Sequence, residues 1–133
     1  MSTLNVGTIK SISSAAPVFQ NTSGTEKGQL AKVWIDFNLS SSSIRDSFNV
    51  SSITDNGTGF FTITFSNAMS NTNYTCVSTG SNGHGAVLNS SNYNRVCEST
   101  PNNTTSCSVA CYAPNNIALV DIGYAGVVVF GDS

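Results

Sequence analysis

From Ala31 onward apolar and polar residues alternate with a period of two. Val33, Ile35 and Phe37 alternate with Lys32, Trp34, Asp36 and Asn38, which predicts a strand with one strongly apolar face. The serine run 40–43 turns the chain. Phe48 and Val50 begin a second strand, and Ile53 falls out of phase with them, so a β-bulge is expected near Ser51 and Ser52. Asp55-Asn56-Gly57-Thr58 is the clearest hairpin signal, because Asn-Gly tolerates the positive φ that a tight turn demands. Beyond it Phe61, Ile63 and Phe65 alternate with Phe60, Thr62 and Thr64. Residues 74–79 read as a further strand, followed by a glycine-rich loop over 81–85. Segments 86–88, 93–97 and 106–112 are shorter strands, and no window of 11 residues carries a helical period.

The two ends of the chain differ from this pattern. In the last strand, 121–130, Ile122, Tyr124, Val128 and Phe130 line one face while Ala125, Val127 and Val129 line the other. Apolar character on both faces calls for burial on both sides, and in a small protein the second side would face another subunit through Val127 and Val129. At the start, Leu4, Val6, Ile9 and Ile12 sit in a polar, extended segment, and 20–28 reads as a linker with two glycines and no apolar residue. A short apolar strand ahead of a linker needs a partner surface, which makes Leu4, Val6 and Ile9 a second candidate subunit contact. The expected architecture is therefore all-β: an antiparallel β-sandwich of about 7–9 strands over 31–133, preceded by an extended N-terminal segment and linker over 1–30.

Composition narrows the function. Only 9% of the 133 residues are charged, against about 25% in an ordinary globular protein, and Ser, Thr and Asn together supply 52 residues. With 39% apolar residues and a net charge of −2, the chain does not fit the low-hydrophobicity, high-charge signature of disorder. Five Lys and Arg give no basic footprint for nucleic acid or anionic membranes. No run approaches the roughly 18 apolar residues of a membrane helix, so no membrane insertion is expected. The start lacks the basic and apolar regions of a secretory leader, and export by that route is not expected. The recurring Asn-x-Ser/Thr triplets follow from the Asn, Ser and Thr content rather than from glycosylation.

Candidate chemistry is sparse. Cys76, Cys97, Cys107 and Cys111 contain no Cys-x-x-Cys pair, so neither a zinc ribbon nor a redox site is indicated. They permit three full pairings, and both buried free thiols and one or two disulfides stay open. Cys107 and Cys111 share a strand face, and Cys97 and Cys107 could face each other across a hairpin centred on Asn102. His84, the only histidine, lies between glycines in a loop, and the seven acidic residues propose no glycosidase pair. Arg45 and Asp46 read as a structural ion pair or turn contact. No enzyme activity and no cofactor or metal is expected. Trp34, Phe60, Tyr93 and Tyr112 fall on faces opposite the core, where aromatics serve either a subunit interface or a sugar platform.

The runs Ala31-Lys32-Val33-Trp34-Ile35-Asp36-Phe37-Asn38 and Ile44-Arg45-Asp46-Ser47-Phe48-Asn49-Val50-Ser51-Ser52-Ile53-Thr54-Asp55-Asn56-Gly57-Thr58-Gly59 resemble a recurring domain. It is the C-terminal β-domain of tail-fibre proteins in tailed bacteriophages, including phages of cyanobacteria. The likeness continues through Phe61-Thr62-Ile63-Thr64-Phe65, Ala68-Met69 and Asn73-Tyr74, and more loosely at Ser2-Thr3-Leu4-Asn5-Val6-Gly7-Thr8-Ile9. It fades over 76–112, and Phe60 stands where the family often carries a polar residue. The resemblance implies a virion structural protein made in the host cytoplasm, a short tail fibre or tail-associated adhesion protein that meets other tail proteins. Together with the two apolar ends it points to a homotrimer. Host attachment would then fall to the divergent loops over 80–103, where Tyr93 could stack on a glycan and His84, Asn92, Asn94 and Arg95 contact it. A carbohydrate-binding module is the second reading, and a polysaccharide-degrading enzyme a distant third.

Overall fold

The computed structural model describes residues 5–10, 19–83, 95–113 and 117–131. Eleven strands form among them: β1 (Phe19–Gln20), β2 (Glu26–Gly28), β3 (Val33–Asn38), β4 (Ser43–Phe48), β5 (Val50–Asp55), β6 (Phe60–Phe65), β7 (Thr75–Ser81), β8 (Val96–Asn103), β9 (Ser106–Ala113), β10 (Ala118–Leu119) and β11 (Tyr124–Phe130). The chain divides into two units, Met1–Leu30 and Ala31–Ser133.

In the first unit β1 and β2 pair antiparallel. The stretch expected as a linker is thus a hairpin. Asn21 closes it, its Oδ1 accepting from the backbone N–H of Ser23 and of Thr25 at 3.2 and 2.8 Å. An Asx turn of this kind is what a short polar side chain offers the backbone in place of a ladder. Residues 5–10 carry no strand, and Val6 and Ile9 are exposed. Leu4 and Ile12 lie outside the described residues.

The second unit is an antiparallel β-sandwich. One sheet runs β4-β3-β11-β7; the other runs β10-β9-β6-β5, with β8 on the free edge of β9. Every pairing in both sheets is antiparallel. The core is the inward half of each alternation: Val33, Ile35 and Phe37 from β3 and Ala125, Val127 and Val129 from β11 meet Phe61, Ile63 and Phe65 from β6 and Cys107, Val109 and Cys111 from β9. Phe37 and Phe61 pack edge to face across the two sheets with centroids 6.1 Å apart, the arrangement that ring quadrupoles favour.

Several sequence expectations need correction. Val127 and Val129 are 1% and 0% exposed within a single chain, so they belong to the core and form no subunit surface. The outward residues of β11 are Tyr124, Gly126, Val128 and Phe130. Ile122 is buried too, because the alternation slips at Gly123, ahead of β11. Phe48 ends a strand rather than starting one. Asn49, with φ +58, separates β4 from β5 and so sends consecutive segments to opposite sheets. Its side chain holds that corner by donating to Lys32 O and accepting from Asn67 N at 2.7 Å. The expected bulge is present, as a register shift between Val50 and Ser52.

The β5–β6 connection is a four-residue loop and not a tight Asn-Gly turn. Asn56 N donates to Phe60 O, and the positive φ values fall on Gly57 and Gly59. Gly59 cannot carry a side chain, since a Cβ there would lie 2.5 Å from Cys111 O. Arg45 pairs with Asp36 at 2.9 Å rather than with Asp46, and also donates to the carbonyls of Phe37 and Gly123. It can do so because β4 bulges opposite Asp36 and Phe37, which turns Arg45 out of the ladder.

Candidate functional site

Two surfaces of the sandwich carry features that folding alone does not require. The first is a groove on the outer face of β6, β9 and β8. Alternation sends Cys107, Val109 and Cys111 of β9 into the core and leaves Ser108, Ala110 and Tyr112 outside. The register then sets Phe60 on one side of Ala110 and Glu98 on the other, with Thr62, Ser108 and Thr100 forming the next row. Alanine between a phenyl ring and a glutamate leaves a gap. The resulting cavity, about 200 Å3, is lined by Phe60, Glu98, Ser99, Thr100, Ser108 and Ala110.

The polar groups of this groove are held in place. Tyr112 Oη donates to Glu98 Oε1 at 2.8 Å. The carboxylate accepting this bond keeps the proton on the phenol and pushes the Tyr112 pKa up. Ser108 Oγ donates to Asn102 Oδ1 at 2.9 Å, and Asn56 Nδ2 donates to Thr62 Oγ1 at 2.8 Å. An aromatic face, fixed hydroxyls and one oriented carboxylate suit a hydroxyl-rich ligand with an apolar face. Among the described residues no cluster of His, Cys, Asp and Glu could hold a metal ion.

The second surface is the outer face of the β4-β3-β11-β7 sheet. Trp34 pairs with Phe48, Val128 with Trp34, and Val128 with Val77. Partners in register share a face, so Phe48, Trp34, Val128 and Val77 form one apolar row across all four strands. Phe48 and Val77 are 54% and 56% exposed, Trp34 is 37% exposed, and Phe130, two residues along β11 from Val128, adds a further exposed ring to the same face. The next row inward on the same face, Asp46, Asp36, Gly126 and Thr79, carries no large apolar side chain.

Of the ligand residues expected from sequence, His84, Asn92, Tyr93 and Asn94 lie outside the described residues. Arg95 is half-buried immediately before β8. The expectation that Trp34, Phe60 and Tyr112 leave the core holds, with Phe60 and Tyr112 on one sheet and Trp34 on the other. Glu98, Thr100, Ser108 and Ala110 were not singled out in the sequence. The alternation of 106–112 already puts Ser108, Ala110 and Tyr112 on a common face, but no local signal ties that face to Phe60 or to β8.

Cysteine pairing is also settled by register. The β8–β9 hairpin turns at Thr104 and Thr105 rather than about Asn102, so Cys97 stands opposite Cys111, and Pro101 opposite Cys107. Cys97 and Cys111 form a disulfide with Cα atoms 4.2 Å apart, while Cys76 and Cys107 are thiols. Comparison with family models, curated proteins and solved structures gives no match to this chain.

Proposed function

We propose that the protein is a structural component of a phage virion, a short tail fibre or tail-associated adhesion protein that works as a homotrimer in attachment to the host surface. The virion part of this reading rests on the sequence resemblance over 31–74. The observation that carries the assembly part is the row Phe48–Trp34–Val128–Val77. A contiguous exposed apolar patch rimmed by polar residues marks an interaction surface, and Trp and Phe are the anchors such surfaces use. In a trimer each copy turns this face toward its neighbours and leaves the opposite sheet outside. A surface otherwise built of Ser, Thr and Asn keeps the particle soluble with few charges and insensitive to salt.

Light scattering on the full chain at micromolar concentration tests the assembly. The expected mass is three times the 13.9 kDa chain, and a monomer mass would overturn it. Phe48→Asp should weaken association about 30-fold or more, an anchor residue being worth at least about 2 kcal/mol, with no loss of the sandwich.

The groove supports a second reading of the same molecule, as a carbohydrate-binding module. Phe60 would stack on the apolar face of a sugar, while the Glu98 oxygen not engaged by Tyr112 accepts from ligand hydroxyls. Single sites of this kind bind weakly, so attachment would draw on avidity across three copies. On an array of host-surface glycans, Phe60→Ala and Glu98→Gln should each lower binding about tenfold at unchanged melting temperature. Equal binding by wild type and both variants would remove the groove from attachment and leave recognition to the loops over 80–103.

A further inference from the structure

Three of the four cysteines belong to the core and the fourth packs against it. Cys97 and Cys111 join β8 to β9 within one sheet. Cys107, on β9, is fully buried, and Cys76, on β7 of the opposite sheet, packs against the same cluster. The two chain segments are registered by Tyr74, whose hydroxyl donates to Ser106 O at 2.6 Å and reaches Asn103 O at 2.9 Å. Cys76 lies two residues after Tyr74, and Cys107 directly follows Ser106. Cys76 and Cys107 are thereby brought together at the interior of the sandwich, near enough for each to be the largest influence on the other's titration.

We propose that Cys76 and Cys107 are a second cross-link site, which closes by exchange with a small-molecule disulfide such as oxidised glutathione and staples the two sheets together. Half-buried Cys76 is the entry thiol. As a thiolate it attacks one sulfur of the glutathione disulfide, forming a mixed disulfide and releasing one glutathione thiolate. Cys107 then gives up its proton, and its sulfur attacks the Cys76 sulfur and expels the second glutathione thiolate. Two protein thiols and one glutathione disulfide become one protein disulfide and two glutathione thiols. The order follows from the environment of each sulfur. Cys76 is the more exposed of the two, and the interaction with Cys107 pulls its pKa below the usual value, whereas the same interaction, and then burial, push the Cys107 pKa up. Such a bridge differs in kind from the existing one, because it ties strands of facing sheets rather than neighbours in a ladder.

The positions of Lys and Arg supply a direct readout. Trypsin cuts after Arg45 and Arg95, so fragment 46–95 carries Cys76 alone and fragment 96–133 carries the other three cysteines. The folded full chain is incubated with oxidised glutathione at mildly alkaline pH, then denatured, counted for thiols and digested without reductant. Expected are a fall from two thiols to none, 46–95 joined to 96–133 through Cys76 and Cys107 by fragmentation sequencing, and a melting temperature raised by about 15 °C. The join should be absent in Cys107→Ser. Two persistent thiols, a stable glutathione adduct left on Cys76 in the wild type, or a join through Cys97 or Cys111 would each overturn the proposal. The wild-type digest decides the matter even if Cys107→Ser fails to fold.

Discussion

Val127→Asp is expected to abolish folding of the sandwich, whereas Val128→Asp one residue away leaves it folded and monomeric. Val127 is 1% exposed and packs between the sheets against the apolar residues of β6 and β9. A carboxylate there loses the packing of the valine and gains no partner. Burial of an unpaired charge belongs to the small class of substitutions that cost about 5 kcal/mol, comparable to the whole stability of a marginal domain. Val128 points the other way, between Trp34 and Val77 on the outer face. In a single chain an aspartate at this position reaches water and costs about 1 kcal/mol, yet in an assembly it would be enclosed against an apolar partner. Circular dichroism should show an unfolded chain for the first variant and a native spectrum for the second. Light scattering should give the monomer mass for the second. A folded Val127→Asp would contradict the assignment of β11 faces, and a trimeric Val128→Asp would take the β4-β3-β11-β7 face out of the interface.

Replacing both bridged cysteines, as Cys97→Ala with Cys111→Ala, is expected to lower the melting temperature by about 15 °C. The bridge closes a loop of sequence separation 14. Removing a cross-link of about this span frees the unfolded chain by roughly 3 kcal/mol, and in a domain of this size each kcal/mol shifts the transition by about 4–8 °C. The effect should be local as well as global. β8 is the edge strand of its sheet and is held there by its pairing with β9 and by the bond from Ser78 Oγ to Cys97 O. Loosening β8 moves Glu98, so amide exchange over 96–103 should rise well below the melting temperature. Calorimetry giving an unchanged transition would mean that the ladder alone holds β8.

The all-β class, the strand at 33–38, the bulge near Ser51 and the inward sets Val33, Ile35, Phe37 and Phe61, Ile63, Phe65 were legible in the sequence, because each depends only on alternation within one strand. Alternation also shows that Ser108, Ala110 and Tyr112 share a face. It cannot say which of two apolar faces is the inner one. In β11 Ala125, Val127 and Val129 on one side and Val128 and Phe130 on the other carry equal apolar signals, and only the pairing of β11 between β3 and β7 sends the first set inward. Pairing is a long-range property. The row Phe48–Trp34–Val128–Val77 draws one residue from each of four strands spread over positions 34 to 128, and the groove joins Phe60 to Glu98 through Ala110. The same is true of the cysteines. The turn at Thr104 and Thr105 fixes the register that unites Cys97 with Cys111, and the packing of facing sheets alone brings Cys76 to Cys107. Local pattern decides what each strand is, since it reflects the geometry of a single backbone. Which strands become neighbours is decided by burying one common core, and every candidate surface of this protein is made of such neighbours.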